Sequence, residues 1–100
     1  MDFIFANQEL ERLYTRNDGA SRYPAETVKL FRRRVRHIEA AGDTRDLRTP
    51  PSVRYEKLSG QLAGMSSMRL NDKWRLILRE EDTKSRKRIV IQEISKHYGD

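Results

Sequence analysis

Two arginines and a histidine–tyrosine pair are the residues of this chain whose side chains could act together on a phosphate. Arg69 and Arg75 lie in the stretch 65–78, and His97 and Tyr98 lie near the end of the sequence. Guanidinium groups bind phosphate oxygens and stabilise developing negative charge, whereas histidine and tyrosine transfer protons. These groups would suit RNA cleavage, in which the 2′-hydroxyl group of the RNA is the nucleophile and no metal ion is needed.

Other charged residues extend this candidate site. Glu56 is a candidate general base, because a carboxylate near the phosphate could accept the proton of the 2′-hydroxyl group. His37 lies among the arginines of a predicted helix and is interpreted as a solvated helix residue. The cations that we expect to bind RNA phosphates are Arg69, Lys57, Lys73, Arg79 and Lys96.

The sequence contains none of the motifs that hold metal ions or nucleotides. It has no cysteine and two histidines, and these two lie in different predicted elements, which excludes the common zinc sites. It also has no P-loop, no GxGxxG motif and no GxSxG motif. We therefore expect neither a metal ion nor a cofactor.

The stretch 65–78 predicts a β-hairpin that positions the two arginines. Apolar and basic residues alternate on both sides of the turn residues 71–73, as in two strands that share one apolar face. A three-residue turn pairs Leu70 with Trp74 and Arg69 with Arg75, whereas a two-residue turn would mix apolar and polar side chains on one face. Two arginines opposite each other destabilise a sheet. Either they bind an anion or both side chains extend into solvent, and the geometry leaves both alternatives open.

The rest of the chain predicts the elements that support this hairpin. Residues 80–88 are highly charged and are interpreted as a flexible connection. We expect a single domain over residues 1–100 of the α+β class, with an N-terminal αα-hairpin packed on a three- to four-stranded antiparallel sheet. The predicted elements are an edge strand at 3–5, helices at 8–16 and from Pro24 to about 41, a strand at 54–58 and a more central strand at 89–94.

The overall charge indicates an acidic partner. The 100 residues carry a net charge of +6, with a pI of about 10.0, which favours binding to nucleic acid, to an acidic protein or to a membrane surface. No apolar run approaches the ~18 residues that span a bilayer. We therefore expect a cytoplasmic protein that has no membrane partner. The arginine cluster at 32–36 has three interpretations: a solvated helix face, a phosphate-binding patch or a docking site for an acidic partner.

Two motifs resemble a known family of bacterial toxins. Residues 58–60 read Leu-Ser-Gly, and residues 67–76 read Ser-Met-Arg-Leu-Asn-Asp-Lys-Trp-Arg-Leu. They resemble the pattern Leu-x-Gly and Ser-ϕ-Arg-ϕ-Asn-x-x-Trp-Arg-ϕ, where ϕ is apolar, of the HigB branch of the RelE/ParE toxins. Residues 46–51 (Asp-Leu-Arg-Thr-Pro-Pro) also look like that branch, so the resemblance covers essentially the whole chain.

The resemblance implies the RelE/ParE-like fold and a role as the toxin of a type II toxin–antitoxin module. Such a toxin is an mRNA endonuclease that acts in the A site of the 30S ribosomal subunit and inhibits translation. The implied partners are a HigA-like helix-turn-helix antitoxin, mRNA on the ribosome, and operator DNA that is bound only together with the antitoxin.

The resemblance includes the arginines of the candidate site but not all of its proton-transfer residues. Arg69 and Arg75 match the arginines of the family pattern. Well-known members end in Asp-Tyr-His, whereas residues 96–98 here read Lys-His-Tyr, and Glu56 and Ser59 stand where those members have His and Lys. These departures leave open a weak or differently arranged nuclease, or a non-catalytic ParE-like inhibitor of a protein target such as DNA gyrase. A basic RNA-binding module without toxicity is a third alternative.

Overall fold

A layer of two helices covers one face of a five-stranded sheet. The computed structural model describes residues 1–96. Along the chain the elements are β1 (Phe3–Phe5), α1 (Gln8–Arg16), α2 (Ala25–Ala40), β2 (Glu56–Lys57), β3 (Met65–Arg69), β4 (Trp74–Asp82) and β5 (Lys87–Lys96). The connections contain single 3₁₀ turns at Ala20–Arg22, Asp46–Arg48, Pro51–Val53 and Gly60–Leu62.

The sheet order is β1-β5-β4-β3-β2. β1 runs parallel to β5, and the other neighbouring strands are antiparallel. The predicted α+β class and helical layer are confirmed. The sheet differs in detail from the expected three or four antiparallel strands, because the short edge strand β1 adds a parallel pair. β5 lies between β1 and β4, which confirms that the last predicted strand is central.

The two helices form where the sequence predicts them. The Oδ1 atom of Asn7 caps α1 by accepting a hydrogen bond of 2.9 Å from the backbone N of Leu10, as expected for an N-cap asparagine. α1 ends at Asn17, which has a left-handed conformation with φ 61°. The residues that α2 buries against the sheet are Thr27, Val28, Phe31, Val35 and Ile38.

The hydrophobic core lies between this helical layer and the sheet. Alternate residues of each strand point to the same face. Met68, Leu76 and Leu78 therefore contribute to the core, whereas the adjacent Arg69 and Arg75 point to the other face. From β5, Ile89 and Ile91 complete the sheet side of the core. Among the described residues, no helix is long and apolar enough to cross a membrane.

The predicted flexible connection at 80–88 is wrong. β4 continues to Asp82 and β5 begins at Lys87, so only four residues form the turn. Ion pairs explain the extended strands: Glu81 pairs with Arg88 across β4 and β5, and Lys87 Nζ lies 3.3 Å from an Asp82 carboxylate oxygen. Cross-strand pairs of opposite charge stabilise a sheet. The two strands therefore extend through residues that are as polar as those of a loop.

Candidate functional site

The β3–β4 hairpin has the register that the alternation predicts. Arg69 lies opposite Arg75, and Met68 lies opposite Leu76. The side-chain oxygen of Asn71 accepts hydrogen bonds of 2.9 Å from the backbone N atoms of both Lys73 and Trp74. This side-chain turn holds the loop in one conformation, and the two arginines are therefore cross-strand neighbours.

The sheet brings Glu56 to the same face as the arginines. Glu56 of β2 lies opposite Ser67 of β3, and Ser67 is two residues before Arg69. Residues two apart in a strand share a face, and such diagonal neighbours lie about 7–8 Å apart. The opposite side of Arg75 is bordered by Ser95 of β5. The structure thus places a carboxylate and two guanidinium groups side by side on the face that the helices leave uncovered.

These residues surround a cleft of about 510 Å³. This volume falls within the range of small-molecule sites, roughly 300–1,000 Å³. The cleft is lined by residues of β2, β3, β4 and the connections between them: Ser52, Arg54, Glu56, Ser67, Arg69, Asn71, Asp72, Trp74 and Arg75. Three guanidinium groups line it against two carboxylates, so the lining favours an anionic ligand.

Among the basic residues of this cleft, Arg75 is the one with a buried side-chain atom that lacks a partner within residues 1–96. Its side chain is half-buried, and its Nε atom is buried without a hydrogen-bond partner among residues 1–96. Buried polar groups nearly always have a partner, and the cost of leaving a charged one without an acceptor is high. The guanidinium group that carries this atom is only half-buried and lines the cleft, so it could bind an anion there.

Arg69 is held by contacts of both its side chain and its backbone. Its guanidinium group pairs with the carboxylate of Asp72 in the hairpin turn. Its backbone O accepts a hydrogen bond of 3.2 Å from Nε of Arg34 in α2. Burial, together with the charges of Arg33 and Arg69, lowers the pKa of Arg34. Positive charge is therefore concentrated where α2 meets the turn end of the hairpin.

The other predicted RNA-binding residues lie outside the cleft. Lys57 and Lys73 are exposed, in β2 and in the hairpin turn. A guanidinium N atom of Arg79 lies 3.0 Å from a carboxylate oxygen of Glu81, and the Lys96 Nζ atom lies 5.6 Å from the centroid of the Trp74 ring. The structure thus brings Glu56, Arg69 and Arg75 together and leaves these four cations outside the cleft lining.

His97 and Tyr98, the predicted proton-transfer residues, lie outside the described residues. Their roles stay predictions. Within residues 1–96, no group of three or more His, Asp or Glu side chains could hold a metal ion.

Sequence reasoning missed Arg54 as a cleft residue. We expected it to begin a strand, but β2 begins at Glu56, and Arg54 ends the preceding 3₁₀ turn with a left-handed φ of 48°. The pair Pro50-Pro51 was the available signal, since prolines commonly open such turns. Asp72 and Asn71 were identified only as turn residues, yet they also line the cleft.

The arginine cluster at 32–36 does not act as one unit. Arg32 donates hydrogen bonds to the backbone O atoms of Leu13 (2.8 Å) and Tyr14 (3.1 Å) at the end of α1. Cations are favourable at a helix C-terminus, where the carbonyl groups lack intrahelical partners. Arg33 and Arg36 are exposed, so the surface interpretations apply to them and not to Arg32.

The fold, with a helical layer on one face of a mixed sheet, also occurs in solved toxin structures. The YoeB–YefM complex from Staphylococcus aureus contains a chain that matches with a TM-score of 0.59 and 22% identity, covering 98% of each chain. The YoeB/ParE toxin from Agrobacterium tumefaciens matches with a TM-score of 0.57 and 19% identity, covering 98% of this chain and 100% of that one. The fold is therefore that of small bacterial toxins.

The sequence comparisons narrow this class to one family. Residues 3–90 match the family model described as "RelE-like toxin of type II toxin-antitoxin system HigB". Toxin HigB-1 of Vibrio cholerae serotype O1 is 33% identical over 82 residues, which is 82% of this chain and 86% of that protein. This chain belongs to the HigB-like toxins, and it is the toxin component of a type II toxin–antitoxin module whose partner is an antitoxin.

Proposed function

We propose that this toxin is an mRNA endonuclease that cuts messages on the ribosome and thereby inhibits translation. The observation that carries the proposal is the half-buried Arg75, whose Nε atom has no partner within residues 1–96 and which lines an open basic cleft. A scissile phosphate would accept hydrogen bonds from this guanidinium group. Family membership supports the same activity.

The residues of the cleft suggest how the reaction would proceed. Glu56 accepts the proton of the 2′-hydroxyl group, and the resulting oxygen attacks the adjacent phosphorus. Arg75, supported by Arg69, stabilises the extra negative charge of the phosphorane. The bond between phosphorus and the 5′-oxygen then breaks, and His97 or Tyr98 protonates that oxygen. The products are a 2′,3′-cyclic phosphate and a free 5′-hydroxyl group, without a metal ion or cofactor.

The cations outside the cleft would hold the message beyond the reacting phosphate. Lys57, Lys73, Arg79 and Lys96 lie outside the cleft lining, and a net charge of +6 favours association with the phosphates of RNA. We propose that the cleft receives mRNA in the A site of the 30S subunit in the cytoplasm. The proposed antitoxin is a HigA-like helix-turn-helix protein, and operator DNA is bound only by toxin and antitoxin together. One toxin domain would comprise residues 1–100.

The test is to induce the toxin without its antitoxin and to map the 5′ ends of cellular mRNA. Wild type should arrest growth and create new 5′ ends within messages. Arg75→Ala should reduce cleavage by about 10²- to 10³-fold, as does the loss of a group that stabilises charge in the transition state. His97→Ala should reduce cleavage by at least about 10²-fold, because a proton donor is lost.

Arg16→Ala is the matched control, because it removes one exposed arginine at the end of α1, away from the cleft lining. It should cut as wild type does. Growth arrest without new 5′ ends, or cleavage by both Arg75→Ala and His97→Ala at the wild-type rate, would rule out this mechanism. Broken DNA with intact mRNA would instead identify a gyrase inhibitor.

A further inference from the structure

Arg54 combines three features that a structural role does not explain. It lines the cleft, its side chain is exposed, and it has a left-handed backbone conformation with φ 48°. A residue with a Cβ atom adopts this conformation at a cost in free energy, and glycine is the usual residue there. Strained residues of this kind concentrate at functional sites.

The neighbours of Arg54 hold it in this conformation. Val53 and Tyr55 are both buried, with 0% and 6% of their surfaces exposed. The hydroxyl group of Tyr55 donates a hydrogen bond of 2.5 Å to Glu80, and the guanidinium carbon of Arg48 lies 5.1 Å from the centre of its ring. Because the residues on both sides are fixed, the chain between them is fixed as well, and Arg54 remains directed to the cleft.

The guanidinium group of Arg54 is also available. Within residues 1–96, Glu56 and Asp72 are the carboxylates that line the cleft. Asp72 pairs with Arg69, and Arg54 makes no side-chain hydrogen bond or ion pair in the same part of the chain. A glycine would relieve the backbone strain, so the arginine at this position contributes something that glycine cannot, namely its positive charge.

We propose that Arg54 is a phosphate-binding residue of the cleft and takes a phosphate of the RNA strand next to the one bound by Arg75. This inference rests on the proposed function and extends it: the cleft would hold two successive phosphates of a single strand. Arg75 and Arg69 form one binding position on the sheet, and Arg54, from the connection before β2, forms the second.

The test measures the binding of a short single-stranded RNA with 2′-O-methyl groups throughout, which the toxin cannot cut. Affinity is measured as a function of salt concentration for wild type, Arg54→Gly, Arg54→Ala and Arg54→Lys. For single strands, the slope of log K against log salt concentration is about −0.7 for each phosphate contact. For Arg54→Gly and Arg54→Ala, the slope should be less negative than the wild-type slope by about 0.7, the value of one phosphate contact. For Arg54→Lys, the slope should equal that of wild type.

Stability measurements separate the lost charge from damage to the fold. Arg54→Gly should not lower the midpoint of thermal unfolding, because glycine accepts a positive φ without strain. Arg16→Ala, which makes the same change in net charge elsewhere, should bind RNA with nearly the wild-type slope.

An unchanged slope in Arg54→Gly, or a loss of slope in Arg16→Ala that equals that of Arg54→Gly, would overturn the assignment while leaving the endonuclease proposal intact. Loss of slope in Arg54→Lys as well would also overturn it. If wild type neither binds this RNA nor creates new 5′ ends in cells, the proposed function fails and this inference fails with it.

Discussion

Tyr55 is buried and Arg75 is half-buried. The two residues differ in whether their polar atoms have hydrogen-bond partners. The Tyr55 hydroxyl group is bonded to Glu80, whereas the Arg75 Nε atom has no partner within residues 1–96. A satisfied buried group contributes to stability, and an unsatisfied one in a cleft costs stability unless a ligand binds. We therefore expect Tyr55 to matter for the fold and Arg75 for activity.

Tyr55 gives a prediction for alkaline pH. Burial, followed by the hydrogen bond to Glu80, raises the pKa of Tyr55 from 10.0 to about 12. Between these values the unfolded chain loses the phenolic proton while the folded chain keeps it. The free energy of unfolding should therefore fall as the pH rises from 10 towards 12.

The measurement is urea unfolding at several pH values from 9 upwards, for wild type and Tyr55→Phe. Phenylalanine cannot titrate, so the decrease between the two pKa values should be smaller in this variant. At pH 9 the variant should be less stable by about 1–3 kcal/mol, because a Glu80 carboxylate oxygen loses the hydrogen bond from Tyr55. Parallel pH profiles would contradict the pKa shift of Tyr55.

At the scale of elements, the sequence predicts best what local spacing determines. The bounds of α1 and the pairing of Arg69 with Arg75 follow from alternation, capping and turn residues. The extension of β4 to Asp82 depends instead on ion pairs with another strand. The conformation of Arg54 depends on buried neighbours that contact distant parts of the chain, and Pro50-Pro51 indicates only the turn that precedes it.

The hairpin turn gives a prediction at this scale. Asn71→Ala removes the acceptor for the backbone N atoms of Lys73 and Trp74. It should lower the free energy of unfolding by about 1–2 kcal/mol and speed amide hydrogen exchange in the turn. Asn71→Asp keeps an acceptor oxygen and should remain near wild type in both measurements. Equal losses in the two variants would show that the acceptor is unimportant.

At the scale of the whole molecule, the sheet joins the two ends of the described chain. β1 pairs with β5, and β5 also pairs with β4 along nearly its whole length. β5 supplies Ile89, Ile91 and Ile94 to the core. Removing this one strand would therefore expose the core, leave β1 without a partner and leave one edge of β4 unpaired.

A chain that ends at residue 86 should not fold. Without β5 it loses an interior strand of the sheet, and the remaining hairpin and helices cannot bury a sufficient core. Urea unfolding followed by circular dichroism should show no cooperative transition for residues 1–86, whereas the full chain should unfold cooperatively. A cooperative transition in the shortened chain would contradict this expectation.

The position of β5 also affects the timing of folding in a translating cell. A ribosome releases the N-terminal part of a chain first, and the strand that completes this sheet ends at residue 96. Pairings between distant parts of a chain form late and slowly. We therefore expect the sheet, and with it the basic cleft, to form only after β5 has left the ribosome.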